Sequence, residues 1–170
     1  AVITCVSNDG GFIRTVTVTA TKVQLQSASA EVPAPQIVHY ESMTLIPVLE
    51  PADADVNMTW SVSNPGILSV DENGSVTGLE VGTTNVYAQI TDCFGHEFTV
   101  TYSVTVTPVT VTGIELSANT GMLRVGGQEV FGYTVTPANA DNKAVILNVS
   151  AGGVVSAQLT QDGEVTVSAI

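Results

Sequence analysis

The sequence predicts an all-β chain built from small repeated sandwiches. Three observations carry that prediction: an internal repeat, a period-two alternation and a Thr/Val-rich composition. Pro51-Ala52-Asp53-Ala54-Asp55 returns 86 residues later as Pro137-Ala138-Asn139-Ala140-Asp141. Asn73-Gly74-Ser75-Val76-Thr77 returns 89 residues later as Asp162-Gly163-Glu164-Val165-Thr166. Val16-Thr17-Val18 and Val104-Thr105-Val106 stand 88 residues apart. A fixed period of this length marks an array of small units, and units of about 85–90 residues suit a β-sandwich. Apolar residues make up 44% of the 170-residue chain, enough for a core in each unit. Thr and Val are stiff at χ1 and fit a pleated surface.

Alternation justifies the elements in order. Thr15-Val16-Thr17-Val18-Thr19 puts valine on one face and threonine on the other, as does the longer run Thr99–Val106. Half-buried antiparallel strands read this way. Turn signals separate the runs at Asn8-Asp9-Gly10-Gly11, Asn64-Pro65-Gly66, Asn73-Gly74, Gly126-Gly127, Gly152-Gly153 and Asp162-Gly163. Residues 21–107 predict seven strands, near 22–26, 37–40, 43–49, 57–62, 67–70 with 75–78, 84–91 and 97–107. Asn73-Gly74 predicts a tight two-residue hairpin. Pro33, Pro35, Pro47 and Pro51 lack a ladder donor and belong on edges or in loops.

Charge removes whole classes of function. The net charge is −12, with Arg14, Lys22, Arg124 and Lys143 the cations. Such a chain has no basic stripe for nucleic acid. No apolar run approaches the ~18–20 residues of a membrane-spanning helix, so no membrane insertion is expected. Two cysteines, Cys5 and Cys93, do not make a disulfide framework. Cys5 is expected on an inward face and Cys93 at a hairpin tip. His39, at a strand edge, and His96, in a loop, read as solvated histidines outside any motif. No nucleophile elbow, phosphate loop or zinc spacing appears. Asp53, Asp55 and Asp71 offer loop oxygens that would suit calcium, yet their spacing is not that of an EF-hand. Turn chemistry, with Asp hydrogen-bonding its own local backbone, is the stronger reading of these residues, and calcium the weaker. No resident cofactor is expected beyond that calcium option.

One run of motifs resembles a known family. Pro51-Ala52-Asp53-Ala54 is followed by Thr59-Trp60-Ser61-Val62-Ser63-Asn64-Pro65 and Val70-Asp71-Glu72-Asn73-Gly74-Ser75-Val76-Thr77-Gly78. Gly82-Thr83-Thr84 and Val104-Thr105-Val106 close the run. In this order they resemble the bacterial immunoglobulin-like domain, group 2. The resemblance implies tandem Ig-like β-sandwiches with Trp60 packed between the sheets. Such modules occur in bacterial surface proteins, adhesins, secreted enzymes as accessory modules, and phage virions. It places a complete domain at 21–107, the last two strands of a repeat at 1–20, and a domain lacking those two strands at 108–170. In the last, Phe131, Tyr133 and Val135 stand where Leu45, Pro47 and Leu49 stand earlier. Ile146, or Leu147 one register off, takes the place of Trp60.

A sandwich short of two strands exposes apolar core and unpaired backbone. Three arrangements meet this need: a longer tandem array of which this is a window, head-to-tail joining of identical chains, or closure of the two ends within one chain. In the second, Ile3, Cys5, Val16 and Val18 of one chain would cover Phe131, Tyr133 and Val135 of the next by strand addition, giving an open filament. The expected function is a non-catalytic structural module of an extracellular stalk, surface fibre or adhesin. The alternatives are an accessory module that binds carbohydrate or a host protein through loops such as 64–66 and 92–96, and a phage fibre or capsid-decoration protein. Expected partners are neighbouring Ig-like domains of the same or identical chains, with a host surface protein or glycan as the further option. The expected location is extracellular, at the cell or virion surface.

Overall fold

The computed structural model describes residues 1–118, 120–150, 153–160 and 163–170. Among them every regular element is a strand. The Gly152 and Asp162 parts of the expected turns lie outside the described residues.

The chain opens with an antiparallel hairpin, β1 (Val2–Val6) and β2 (Ile13–Thr17), which among the described residues pairs with no other strand. A sandwich follows. One of its sheets has the order β4 (Gln36–Val38), β11 (Glu97–Thr107), β10 (Gly82–Asp92), β7 (Val56–Val62). Facing it are the pair β3 (Ser27–Ala30) with β6 (Pro47–Glu50), and the triplet β5 (Ser42–Thr44), β9 (Ser75–Gly78), β8 (Leu68–Val70). All pairings are antiparallel except β11 with β4. Beyond Thr107 one further sheet forms, ordered β12 (Gly113–Leu116), β13 (Gln128–Thr136), β15 (Glu164–Ala169), β14 (Val155–Leu159).

The core lies between the two layers of the sandwich. Period-two alternation sends Val86, Ala88 and Ile90 of β10 and Val100, Tyr102, Val104 and Val106 of β11 inward, all buried. Leu25, Ile37, Leu45, Leu68 and Val76 meet them from the other elements. Trp60 is half-buried against this cluster, 6.1 Å from the Tyr102 ring between centroids. The inward Trp60 agrees with the family pattern.

Several predicted elements shift for identifiable reasons. The strand expected at 22–26 is irregular. Leu25 is still buried, but pairing begins at Ser27 because Val23 is held by Asp55 instead. The expected 43–49 strand divides at Leu45-Ile46. Met43 pairs with Val76 on one side and Val48 with Ser29 on the other. Pro47 opens β6, where a missing N–H is tolerated. Asn73-Gly74 is not a two-residue turn. Asp71 N–H still bonds Ser75 O at 3.0 Å, leaving Glu72-Asn73-Gly74 as a three-residue loop. Its glycine takes the left-handed conformation such loops need, with φ +79°.

The C-terminal sheet is the larger departure. Phe131, Tyr133 and Val135 share one face of β13, each half-buried. No strand covers 137–150, where the central sandwich has β7, and Ile146 is exposed. The physical reason is that β7 is held by β10 over seven residue pairs. Among the described residues the C-terminal sheet has no strand in the β10 position.

Gly74 gives a direct test of the core. A Cβ there would lie 2.5 Å from the Trp60 ring and 2.9 Å from the Leu45 carbonyl. Overpacking adds to the strain of a positive φ, so Gly74→Val should destabilise the sandwich by about 2–4 kcal/mol. Chemical denaturation followed by Trp60 fluorescence measures this, and an unchanged midpoint would refute the packing.

Candidate functional site

The acidic residues are engaged locally. Asp55 Oδ2 accepts Val23 N–H at 2.9 Å, and Asp55 N–H donates to Val23 O at 3.0 Å. The same two-bond clamp recurs 86 residues later. Asp141 Oδ2 accepts Val109 N–H at 2.6 Å, and Asp141 N–H donates to Val109 O at 3.0 Å. Each clamp ties the start of a unit to the turn after the Pro-Ala-Asx-Ala segment. Asp71 Oδ1 accepts Asn73 and Ser75 N–H at 2.9 and 2.8 Å, closing its own loop. Asp53 is exposed in its turn. The structure does not bring Asp53, Asp55 and Asp71 together. Among the described residues no group of three or more His, Cys, Asp or Glu is placed to hold a metal ion.

Asp92 is the most buried carboxylate, 5% exposed at the end of β10. Its Oδ1 accepts Phe94 and His96 N–H at 2.9 and 2.8 Å, and Oδ2 lies 2.9 Å from His96 Nδ1. Burial pushes its pKa up. The bonds from the His96 ring, the His96 amide and the Phe94 amide outweigh that and hold it at about 2. Asp92 therefore organises the 92–96 loop, where Phe94 is exposed and Cys93 partly so.

His39 is not the solvated histidine that its sequence position suggested. It is 8% exposed, with Nδ1 2.7 Å from Asp141 Oδ1 and Nε2 2.9 Å from the Leu79 carbonyl. Tyr40 stacks on it at 3.6 Å between centroids. The partner, Asp141, is 102 residues away and belongs to the C-terminal part. The one sequence sign was that the repeated Pro-Ala-Asx-Ala-Asp segment ends on Asp141.

The assembly residues separate into two surfaces. Ile3 faces Val16 and Cys5 faces Arg14 across the hairpin ladder, so Ile3, Cys5, Val16 and Val18 share one face. All four are exposed. The inward packing expected for Cys5 fails because the hairpin lies on no second layer. On the C-terminal sheet, Tyr133 lines a cleft of about 630 Å³ with Ile114, Leu116, Ile146, Leu147 and Val165. Phe131 lines a smaller one of about 210 Å³ with Leu116, Leu147, Val165 and Val167. Val135 pairs with Ile114 outside both linings. The hairpin and this sheet do not pair.

Asp92 has a pH signature. Its folded pKa of about 2 lies below the ordinary ~3.9. Its stabilisation is therefore complete above pH ~3.9 and lost as pH falls towards 2. Asp92→Asn should lower the melting temperature by several degrees at pH 7 and flatten the loss between pH 4 and 2. Thermal melts across that range measure it, and parallel curves for both proteins would exclude the role.

Comparison with known proteins places the central sandwich. Two uncharacterized proteins of Clostridium acetobutylicum are each 32% identical to the chain. One aligns over 114 residues, 66% of this chain and 12% of its own length; the other aligns over 77 residues, 45% and 19%. The chain thus spans a small part of either relative. Among solved structures, domains 4 and 5 of the S-layer protein SbsC are 16% identical, covering 87% of this chain and 88% of that one, with a TM-score of 0.36. Extracellular cadherin domains 1–4 of protocadherin gamma B7 are 13% identical, covering 99% and 55%, with a TM-score of 0.31. The sequence model of the bacterial Ig-like domain (group 2) matches residues 33–100. Those residues lie within the central sandwich, so the match to the bacterial Ig-like domain (group 2) falls on that sandwich.

Proposed function

We propose that the chain is a non-catalytic structural segment of an extracellular stalk, surface fibre or adhesin. In this reading its C-terminal sheet is covered by the β1–β2 hairpin of an identical chain. The observation that carries it is a pair of matching apolar surfaces. The hairpin exposes Ile3 and Val16 on one face, and the C-terminal sheet leaves Tyr133, Leu116 and Val165 around an open cleft. In the central sandwich the equivalent sheet is covered by the hairpin β10–β11, whose inward residues are buried. The non-catalytic half rests on the carboxylates, which bind local amides rather than converge on a cleft. A sugar-binding platform gains no support from Trp60, which packs against Gly74 and Tyr102.

Light scattering of the 170-residue chain beside a form lacking residues 1–20 tests the reading. The expected result is a mass that climbs above 17.6 kDa with concentration in the full chain only. Ile3→Asp with Val16→Asp should abolish the growth as the truncation does. A full chain of constant monomer mass, or growth that survives the truncation, would overturn the hairpin's role.

A further inference from the structure

The junction between the central sandwich and the C-terminal sheet is very short. His39 N–H bonds the carbonyl of Thr107, the last residue of β11, at 2.8 Å. Two residues on, Val109 is held on both sides by Asp141. Pro108 alone separates the two anchorages. Across this point the His39 ring touches Asp141, so one side chain of the sandwich reaches the clamp that starts the next unit.

The ring's contacts fix its charge state. Nε2 faces a carbonyl oxygen and Nδ1 faces a carboxylate oxygen, and neither partner can donate. A neutral imidazole has one donor and one acceptor, so one contact would set lone pair against lone pair. Only the imidazolium satisfies both. Asp141 stays ionised alongside, because the Val109 amide holds its pKa below the ordinary range. The charged groups facing the ring are Asp141 and Glu80, both anionic, and Tyr40 stacks on it.

We propose that His39 and Asp141 form a proton-dependent clasp that fixes the orientation of the C-terminal sheet on the Ig-like sandwich, closed when the imidazole is charged and open when it is neutral. Titration agrees in direction. Burial opposes the charge, but the Asp141 and Leu79 hydrogen bonds and the nearby anions outweigh it, so the His39 pKa is raised. A raised pKa makes the clasp complete below the ordinary value of ~6.5 and lost as pH rises through the folded value. Histidine suits this role because its charge changes near neutral pH. The device is specific to this junction: 86 residues after His39 the chain has Val125. It would let one array hold a fixed angle in mildly acidic surroundings and swivel about Pro108 in alkaline ones.

NMR of the intact chain tests the clasp. The His39 ring nitrogens are titrated, and 15N relaxation gives separate tumbling times for the amides of 82–107 and of 113–136. Expected are a His39 pKa above ~6.5, a shared tumbling time at pH 5.5, and distinct times at pH 9. His39→Ala should show distinct times at both pH values, while His96→Gln should follow the parent. A His39 pKa at or below the ordinary value would overturn the proposal. So would tumbling that does not change with pH, or a His39→Ala protein that tumbles as the parent does. If His39→Ala disturbs the sandwich, seen in the β10 and β11 amide shifts, the parent titration and relaxation decide alone.

Discussion

The antiparallel pairing of β10 with β11 is the constraint on which the remaining structure depends. It runs through ten residue pairs, from Gly82 opposite Val106 to Thr91 opposite Glu97. β7 is added along β10 and β4 along β11. Its inner face supplies Val86, Ala88, Ile90, Val100, Tyr102, Val104 and Val106 to the core. Each fully buried valine or isoleucine among them contributes about 1.5–3 kcal/mol. The exposed Thr83–Thr105 contact on the outer face belongs to a class worth roughly 0.2–1 kcal/mol. Burial therefore decides the register, and a one-residue slip would turn the whole valine set to solvent.

The C-terminal sheet shows what happens without that spine. β13 and β15 pair well, yet among the described hydrophobic residues beyond Thr107 only Ala140 and Val165 are buried. An uncovered sheet face keeps its apolar side chains half-exposed, and among the described residues the 137–150 segment pairs with no strand. The N-terminal hairpin has the converse problem, with apolar residues on both faces and no layer beneath. The two surfaces carry the same chemistry, and the assembly reading grows from that likeness.

Four of the aspartates hold the backbone in place. Asp55 and Asp141 each tie a unit's first residues to its proline turn with a pair of bonds. Asp71 and Asp92 each accept two amides within a loop. In the two loops Asp is favoured because its short side chain reaches the backbone a few residues on. Asp141 also meets a distant side chain, because its second oxygen lies against the His39 ring.

The all-β class, the repeat and the inward faces of β7, β10 and β11 were legible from the sequence. Period-two alternation is a local pattern that any half-buried strand must carry. Local geometry also explains the turn glycine at Gly74, although the three-residue loop length depended on which residues closed the ladder. Strand ends at 22–26 and the break at Leu45 were not legible, because side chains distant in sequence set them. The burial of His39 was hidden for the same reason: nothing near position 39 announces a partner 102 residues away. Sequence determines what each segment can become, through propensity and alternation. Tertiary structure decided which faces were covered and which ionisable groups met, because burial and charge pairing depend on neighbours that only the folded chain assembles.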